Sequence, residues 1–568
     1  MNSEDCESEA KIAYFSMEIA VKNSIKSFSG GLGVLAGDTL KSAADLEIPM
    51  IGITLLNDKG YFKQVINEDG WQEELPDEYN TNELEKTAKT ETYIGKEKVG
   101  ILAWKYEIKG QSGHVVPVYF LDTNLEENKK RHRSLTGQLY GGDNRYRLMQ
   151  EIILGRGGVK LLSELKCAKI ERYHLNEGHA ALATIELLSQ LKPKPFILST
   201  KSIEDRANEI REKCVFTTHT PVEAGHDSFS LEMVKNLQPN FPYRLSKLIT
   251  KNKLNMSHLA AYFSSHINGV SKKHGEISKE MFSEYEVDSI TNGVHSRTWT
   301  CPEFKTLFDQ YIPDWKKRNG DLRNVLNIPT DRIWEAHQKA KNKLMKYIEN
   351  KTGKKLDLET FTIGFARRFA TYKRPTLLFQ NIERFLRINK EVGNIQIVYA
   401  GKAHPDDTAG KEKIQKIHHL MKKYKDEIEI VFLENYDMEL AKMITSGVDL
   451  WLNNPIPPKE GSGTSGMKAA HNGIPQLSTK DGWWLEGLIP GKTGWAIGEG
   501  QTDEDSAKVR SRDAKEIYQK LENEILPLYY ENQEKWRKIM RQTISVNASF
   551  FNSNRMLMEY VRKTYFCK

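Results

Sequence analysis

The sequence predicts an α/β protein made of two doubly wound domains that face each other across a ligand-binding cleft. Three observations carry this. A chain of 568 residues exceeds what one core can organise, so two or three domains are expected. From about residue 361 short apolar runs alternate with longer amphipathic ones, the rhythm of strands and helices in a parallel sheet. The N-terminal half repeats that alternation less cleanly.

The N-terminal strand candidates are "IAYFSME" (12–18), "MIGITLL" (50–56), "VVPVYFLD" (115–122), "VFTTHT" (215–220) and "DSITNGV" (288–294). They assign residues 1–300 to a first domain. Residues 301–360 read as a mostly helical connection. In the second domain, 361–505, the strands are "FTIGFAR" (361–367), "IQIVYAG" (395–401), "IEIVFLEN" (428–435) and "VDLWLNN" (448–454). Between them lie helical stretches at 376–388, 411–424 and 438–447, and another helix begins near Met467. The segment 506–568 reads as several closing helices. Trp483 and Trp484 follow an apolar run, "IPQLS", and are expected in the core.

Composition removes several function classes. Apolar residues make up 39% and charged residues 28%, which suits a folded soluble chain. A net charge of +7 is the remainder of 83 basic and 76 acidic residues, too dilute to indicate nucleic acid. The basic runs "NKKRHR" (128–133) and "HHLMKKYK" (418–425) lack interleaved aromatics and read as solvated faces. Five scattered cysteines with no C-x-x-C pair point to a reducing compartment and no metal site. The acidic start "MNSEDCESEAK" is no signal peptide, and no apolar run reaches the roughly 20 residues that span a bilayer. A cytoplasmic enzyme is the expectation.

Ligands of open parallel sheets bind beyond the carboxyl ends of the strands. Those ends supply Arg367, Arg368, Lys373 and Arg374, then "KAHPDD", then Asn435 and Tyr436, then "NNPIPPKEGSGTSGMK". The last stretch resembles a P-loop, but its lysine comes one place late and Ala469 replaces the magnesium-binding hydroxyl. Gly461, Gly463 and Gly466 allow close backbone approach, Thr464 and Ser465 add hydroxyls, and a helix N-terminus follows. Lys468 beside such an anion cradle suits a phosphate-bearing aldehyde, and pyridoxal phosphate meets that description. In the first domain "SFSGGLGVLAGD" (27–38) reads as an amide-lined anion loop rather than a dinucleotide fingerprint, since no strand runs into it. "HLNEGH" (174–179), "TTHT" (217–220) and "TNGV" (291–294) place polar groups at strand ends, as a sugar site requires.

Taken in order, "SGGLGVLAGD", "HLNEGHAALA", "TTHTPVEAGHD", "ITNGVHSRTW", "ARRFATYKRP", "AGKAHP", "FLENY" and "EGSGTSGMKAAHNG" resemble the α-glucan (glycogen, starch or maltodextrin) phosphorylases over about residues 12–500. The resemblance implies two facing Rossmann-like domains of the GT-B glycosyltransferase type. It implies that Lys468 forms the Schiff base with pyridoxal 5'-phosphate. Thr464, Ser465 and Arg367 would hold the cofactor phosphate, and Tyr436 and Trp299 would line its pocket. Arg368 and Lys373 would bind substrate phosphate with the amides of Gly30 and Gly31. Leu32, His219, Asn292, Tyr372, Glu460, Ser462 and Gly463 would surround the glucosyl unit, with Glu177 nearby. Lys468, Arg368, Lys373 and His219 form the implied catalytic set, with no metal.

The implied reaction is reversible, retaining phosphorolysis of a non-reducing end to glucose 1-phosphate. Two phosphates would share a proton, so the paired carboxylates of a glycosidase are not needed. A homodimer is the implied assembly. The sequence departs from the larger enzymes at Ser465 and Gly466, at Ala370 where a histidine is usual, and at Val34 where an arginine is usual. It begins almost at the first strand, so regulation by phosphorylation or nucleotide through an N-terminal extension is not expected. The rival readings are a nucleotide-sugar glucan synthase, which has no use for Lys468 in this context, and a non-catalytic glucan-binding relative, which need not keep Arg368, Lys373, Glu460 and Lys468.

Overall fold

A computed structural model of the chain describes residues 9–566 except 168, 192–199, 243–247 and 501–504. Cys6 and Cys567 lie outside the described residues; Cys167, Cys214 and Cys301 are buried and unbridged. The chain folds into two compact units. One comprises 1–62, 76–291 and 556–568, the other 63–75 and 292–555.

The first unit is built on a nine-stranded sheet. In spatial order its strands are Val287–Ser289, His266–Gly269, Cys214–Thr217, Arg172–Asn176, Ile12–Ser16, Met50–Leu55, Val115–Asp122, Glu97–Lys109 and Glu85–Ile94. The seven strands from 287–289 to 115–122 run parallel, and the last two are antiparallel additions at one edge. In chain order the parallel strands lie 7-6-5-4-1-2-3, so the order reverses between 12–16 and 172–176, where ligands of such sheets collect. Both 12–16 and 50–55 are buried throughout, as strands covered on two faces must be. Helix Gly31–Asp45 lies close against the segment following the first strand. A Cβ on Gly37 would meet the Ala20 carbonyl oxygen at 2.1 Å, so only glycine fits there.

The C-terminal segment closes this unit. Buried His174 shares a hydrogen bond of 2.6 Å with the Tyr565 hydroxyl and one of 3.0 Å with Thr217 Oγ1, while the Tyr560 hydroxyl accepts from Asn268 Nδ2 at 3.0 Å. Burial pushes His174 down to about 3, so the ring is neutral. Tyr565→Phe leaves one ring nitrogen without its partner and is expected to cost about 1–2 kcal/mol, read as a lower urea midpoint at unchanged m.

The second unit has a six-stranded, wholly parallel sheet ordered Glu429–Leu433, Ile395–Ala400, Phe361–Ala366, Leu450–Asn453, Gln476–Thr479 and Gly494–Ile497. In chain order this is 3-2-1-4-5-6, the Rossmann order, with its switch point between 361–366 and 450–453. The four strands read from periodicity form at their expected places, with Thr408–Lys423 and Met438–Gly447 as the intervening helices. The expected helix at 376–388 is broken into a 3₁₀ turn, Leu377–Phe379, and a helix, Ile382–Glu391. Helices Pro302–Tyr311 and Thr330–Thr352 supply Phe304, Phe308, Ile333 and Ala340 to this unit's core.

A short hairpin, Lys63–Ile66 with Gln72–Leu75, is inserted from the N-terminal half of the sequence. Gln64 Nε2 donates to the Gly401 carbonyl at 2.9 Å and Gln72 Nε2 to that of Ala403 at 3.0 Å. Asn435, which the strand-end rule assigns to a ligand edge, instead clamps this hairpin: its Oδ1 accepts from the Gln64 amide at 2.6 Å. Trp483 and Trp484 are buried, as expected for core residues.

Candidate active site

In the second unit, the strand 361–366 delivers Arg367 and the strand 450–453 ends in Asn453. One guanidinium nitrogen of Arg367 donates to Asn453 Oδ1 and the other to Glu460 Oε2 at 2.8 Å. Lys373 Nζ donates to the same Glu460 oxygen and lies 4.5 Å from the ring centre of Tyr372. All three charged groups are nearly sealed from solvent, with side chains 7–11% exposed. Burial alone would push the Glu460 carboxyl up, but the cations of Lys373 and Arg367 outweigh it and hold it down at about 2. The segment 367–374 and the glycine-rich stretch therefore meet at one carboxylate. Arg374, from the same segment, points elsewhere: its guanidinium is buried on Asp513 at 2.7 Å and on the Asn454 carbonyl at 2.9 Å. Arg368 is exposed.

The stretch 460–464 is held from below by the turn at 481–483. Asp481 accepts from the Glu460 amide at 2.9 Å, and the Trp483 amide donates to the Ser462 carbonyl at 3.0 Å. A Cβ on Gly482 would lie 2.3 Å from that carbonyl, so the contact requires glycine. Burial raises Asp481 to about 7, with the Glu460 carboxylate adding to the rise. Gly463 takes φ +74, which glycine adopts without strain. Helix Ser465–Ala470 follows, with Thr464 at its N-cap making no capping bond of its own. Ser465 Oγ accepts from the Trp451 indole at 3.1 Å.

Lys468 is buried, its ammonium 3.9 Å from the ring centre of Trp299. Trp299 is fixed there because its carbonyl accepts from Asn472 Nδ2 at 2.9 Å. Tyr436 feels the Arg367 charge, while burial dominates and raises its phenol above the ordinary range. Asn292 is buried, and its Oδ1 has no hydrogen-bond partner among the described residues. A buried amine on an indole face, hydroxyls at a helix start and the buried, unpartnered Nε of Arg367 fit a phosphate-bearing aromatic aldehyde.

In the first unit the switch-point strands end in Ser16 and Asn176. Glu18, two residues beyond the first, accepts from the Ser29 amide at 2.5 Å, the Gly30 amide at 3.2 Å and the Tyr140 hydroxyl at 2.9 Å. The Gly30 amide assigned to substrate phosphate is thus given to a carboxylate here. Gly31 and Leu32 open the helix 31–45, whose first-turn amides have no acceptor within the helix. Glu177 sits at φ +74, unusual for a residue with a side chain, and is held by bonds from the His219 amide at 2.8 Å and Thr220 Oγ1 at 3.1 Å. His219 Nε2 lies 2.7 Å from Asn176 Oδ1. Glu18 is not singled out by the sequence, although a polar side chain just past a buried strand is the signal that marks His219 and the 174–179 stretch containing Asn176. Among the described residues, no group of three or more His, Cys, Asp or Glu could hold a metal, and no helix is long and apolar enough to cross a membrane.

Sheet order, glycine-rich turn and buried lysine define a Rossmann-type α/β protein with an anion-binding pocket at its strand ends, and comparison with known proteins narrows that class. The carbohydrate phosphorylase family profile matches residues 25–109 and 242–525. The maltodextrin phosphorylase of Thermococcus litoralis is 39% identical over 98% of this chain and 70% of its own length. Glycogen phosphorylases of Aquifex aeolicus and Mycobacterium tuberculosis are 35% and 33% identical over 98% of this chain, covering 86% and 70% of theirs. The chain belongs to the carbohydrate phosphorylase family.

Proposed function

We propose that this protein is an α-1,4-glucan phosphorylase that transfers non-reducing-end glucosyl units of glycogen or a maltodextrin reversibly to inorganic phosphate, giving α-D-glucose 1-phosphate with retention. One observation carries the reading: Lys468 is buried on the Trp299 face directly after a glycine-rich stretch whose Glu460 gathers Arg367 and Lys373. The family match and the near-full-length relatives support it.

In this reading the second unit holds pyridoxal 5'-phosphate through Lys468, Thr464, Ser465, Arg367, Tyr436 and Trp299. When bound, the cofactor would supply a second phosphate group as a proton partner for the substrate phosphate. Arg368, which is exposed, and Lys373, which is buried, hold the incoming phosphate, where their charges offset the repulsion of two anions. The proton of the substrate phosphate passes to the glycosidic oxygen as the bond from C1 breaks. A phosphate oxygen then bonds to C1 from the same face. Asn292, Glu460, Tyr372, Ser462 and Gly463 hold sugar hydroxyls, and in the first unit His219, Glu177, Leu32 and the glycine loop take sugar-binding roles of their own. The scattered thiols support a cytoplasmic setting.

The test is glucose 1-phosphate release from maltodextrin with and without phosphate, alongside near-ultraviolet absorbance of the purified protein. Phosphate-independent release, or activity without bound cofactor, would refute the assignment. Lys373→Ala is expected to keep the cofactor absorbance and raise KM for phosphate about ten- to hundredfold, the loss of one charge-assisted bond. An unchanged phosphate KM removes Lys373 from that role.

A further inference from the structure

His219 is held by a hydrogen-bond relay with only one possible direction. Strands 12–16 and 172–176 pair in parallel with Ser16 opposite Asn176. The Ser16 hydroxyl donates to the Glu18 carbonyl at 2.8 Å, Asn176 Nδ2 donates to Ser16 Oγ at 3.0 Å, and Asn176 Oδ1 faces His219 Nε2 at 2.7 Å. A carbonyl can only accept, so the single hydroxyl proton of Ser16 is committed to Glu18. Ser16 must then accept from the Asn176 amide nitrogen, which turns the amide oxygen toward His219. The imidazole can complete the chain only by donating from Nε2.

Burial pushes His219 down to about 4, so near neutrality the ring carries one proton, and the relay puts it on Nε2. Nδ1 is left with its lone pair and makes no hydrogen bond among the described residues. The charged and titratable groups that bear on this ring are Glu177, which raises its pKa, and the neighbouring histidines 174, 179 and 274. Glu177 is committed to the His219 and Gly178 amides and to Thr220, so it holds the backbone of the residue while the relay sets its ring.

We propose that Asn176 and Ser16 are positioning residues that lock His219 into the Nε2–H form, presenting Nδ1 as an obligate acceptor for a sugar hydroxyl. The site then selects a ligand group that can donate a hydrogen bond, and a fluorine in place of that hydroxyl is refused. The identity of the ligand rests on the phosphorylase reading; the state of the ring does not.

The test uses the holoenzyme labelled with ¹⁵N-histidine, with His219 assigned by the signals lost in His219→Gln. Long-range ¹H–¹⁵N correlation is expected to show a protonated Nε2 and a bare Nδ1 from about pH 6 to about pH 8. A protonated Nδ1 in the wild type overturns the proposal. Ser16→Ala frees the Asn176 amide to turn and is expected to give a mixture of the two neutral forms; a wild-type pattern in that variant removes Ser16 from the relay. Asn176→Asp keeps an acceptor but adds a negative charge that favours the imidazolium, which has no acceptor at Nδ1. Its KM for glucose 1-phosphate is expected to rise about tenfold between about pH 8 and about pH 6 with kcat little changed, where the wild type shows no such limb. A wild-type KM profile in Asn176→Asp overturns the proposal. Because the ring state is read without turnover, an inactive protein with the Nε2–H signature would refute phosphorolysis and leave the lock standing.

Discussion

Lys468→Ala is expected to abolish both the near-ultraviolet absorbance of bound cofactor and phosphorolysis, the activity falling by at least about 10²–10⁴, the range that positioned proton transfer contributes. The ammonium lies 3.9 Å from the Trp299 ring centre within a buried pocket, where a cation–π contact is worth about 2 kcal/mol. A folding defect could therefore mimic a chemical one. Lys468→Arg separates the two: it keeps a cation for Trp299 but has no primary amine to retain an aldehyde. A Lys468→Arg protein with wild-type melting and neither absorbance nor activity supports the role assigned to the amine. Turnover in that variant, at any pyridoxal phosphate concentration, would sink it.

Legibility from sequence followed burial. Four strands of the second unit's sheet are buried and separated by amphipathic helices, so apolar runs marked them to within a residue or two. The strand Glu85–Ile94 escaped because it is an antiparallel addition at the sheet edge, rich in lysine and glutamate, with no apolar run; its neighbour Glu97–Lys109 escaped although it carries the apolar stretch 99–104. The hairpin 63–75 was missed as part of the second unit because sequence distance conceals where a short insertion docks; its anchors are amide side chains, Gln64, Gln72 and Asn435, which periodicity ignores.

The same contrast holds at the site. Lys468 and Lys373 stand out in the sequence as charges beside glycines and at strand ends, whereas the place of Glu460 comes from the family resemblance. Glu18 was not legible, since its importance lies in which backbone amides it accepts from, and that depends on the path of residues 19–30. Arg374 shows the converse error: it shares a basic segment with Lys373 but adopts φ +50 and turns into the core onto Asp513.

Glu460→Gln is expected to destabilise the protein by about 3–5 kcal/mol in phosphate-free buffer, the cost of removing one partner from a buried ion set. Arg367 and Lys373 would remain buried with only an amide oxygen between them. The wild-type carboxyl sits near 2, against about 4.5 unfolded. A depressed acid binds fewer protons folded than unfolded, so its contribution, about 3 kcal/mol, is full above roughly pH 5 and is lost as pH falls toward 2. Glu460→Gln should therefore be less stable than wild type at neutral pH and approach it in acid. An added anion should act on the variant more strongly than on the wild type, because it can take the place the carboxylate left. Melting temperature measured against phosphate concentration should rise more steeply in Glu460→Gln, as ligand linkage requires. Equal phosphate slopes in the two proteins would mean that Arg367 and Lys373 do not form an anion site, and the function proposed for this pocket would fall with it.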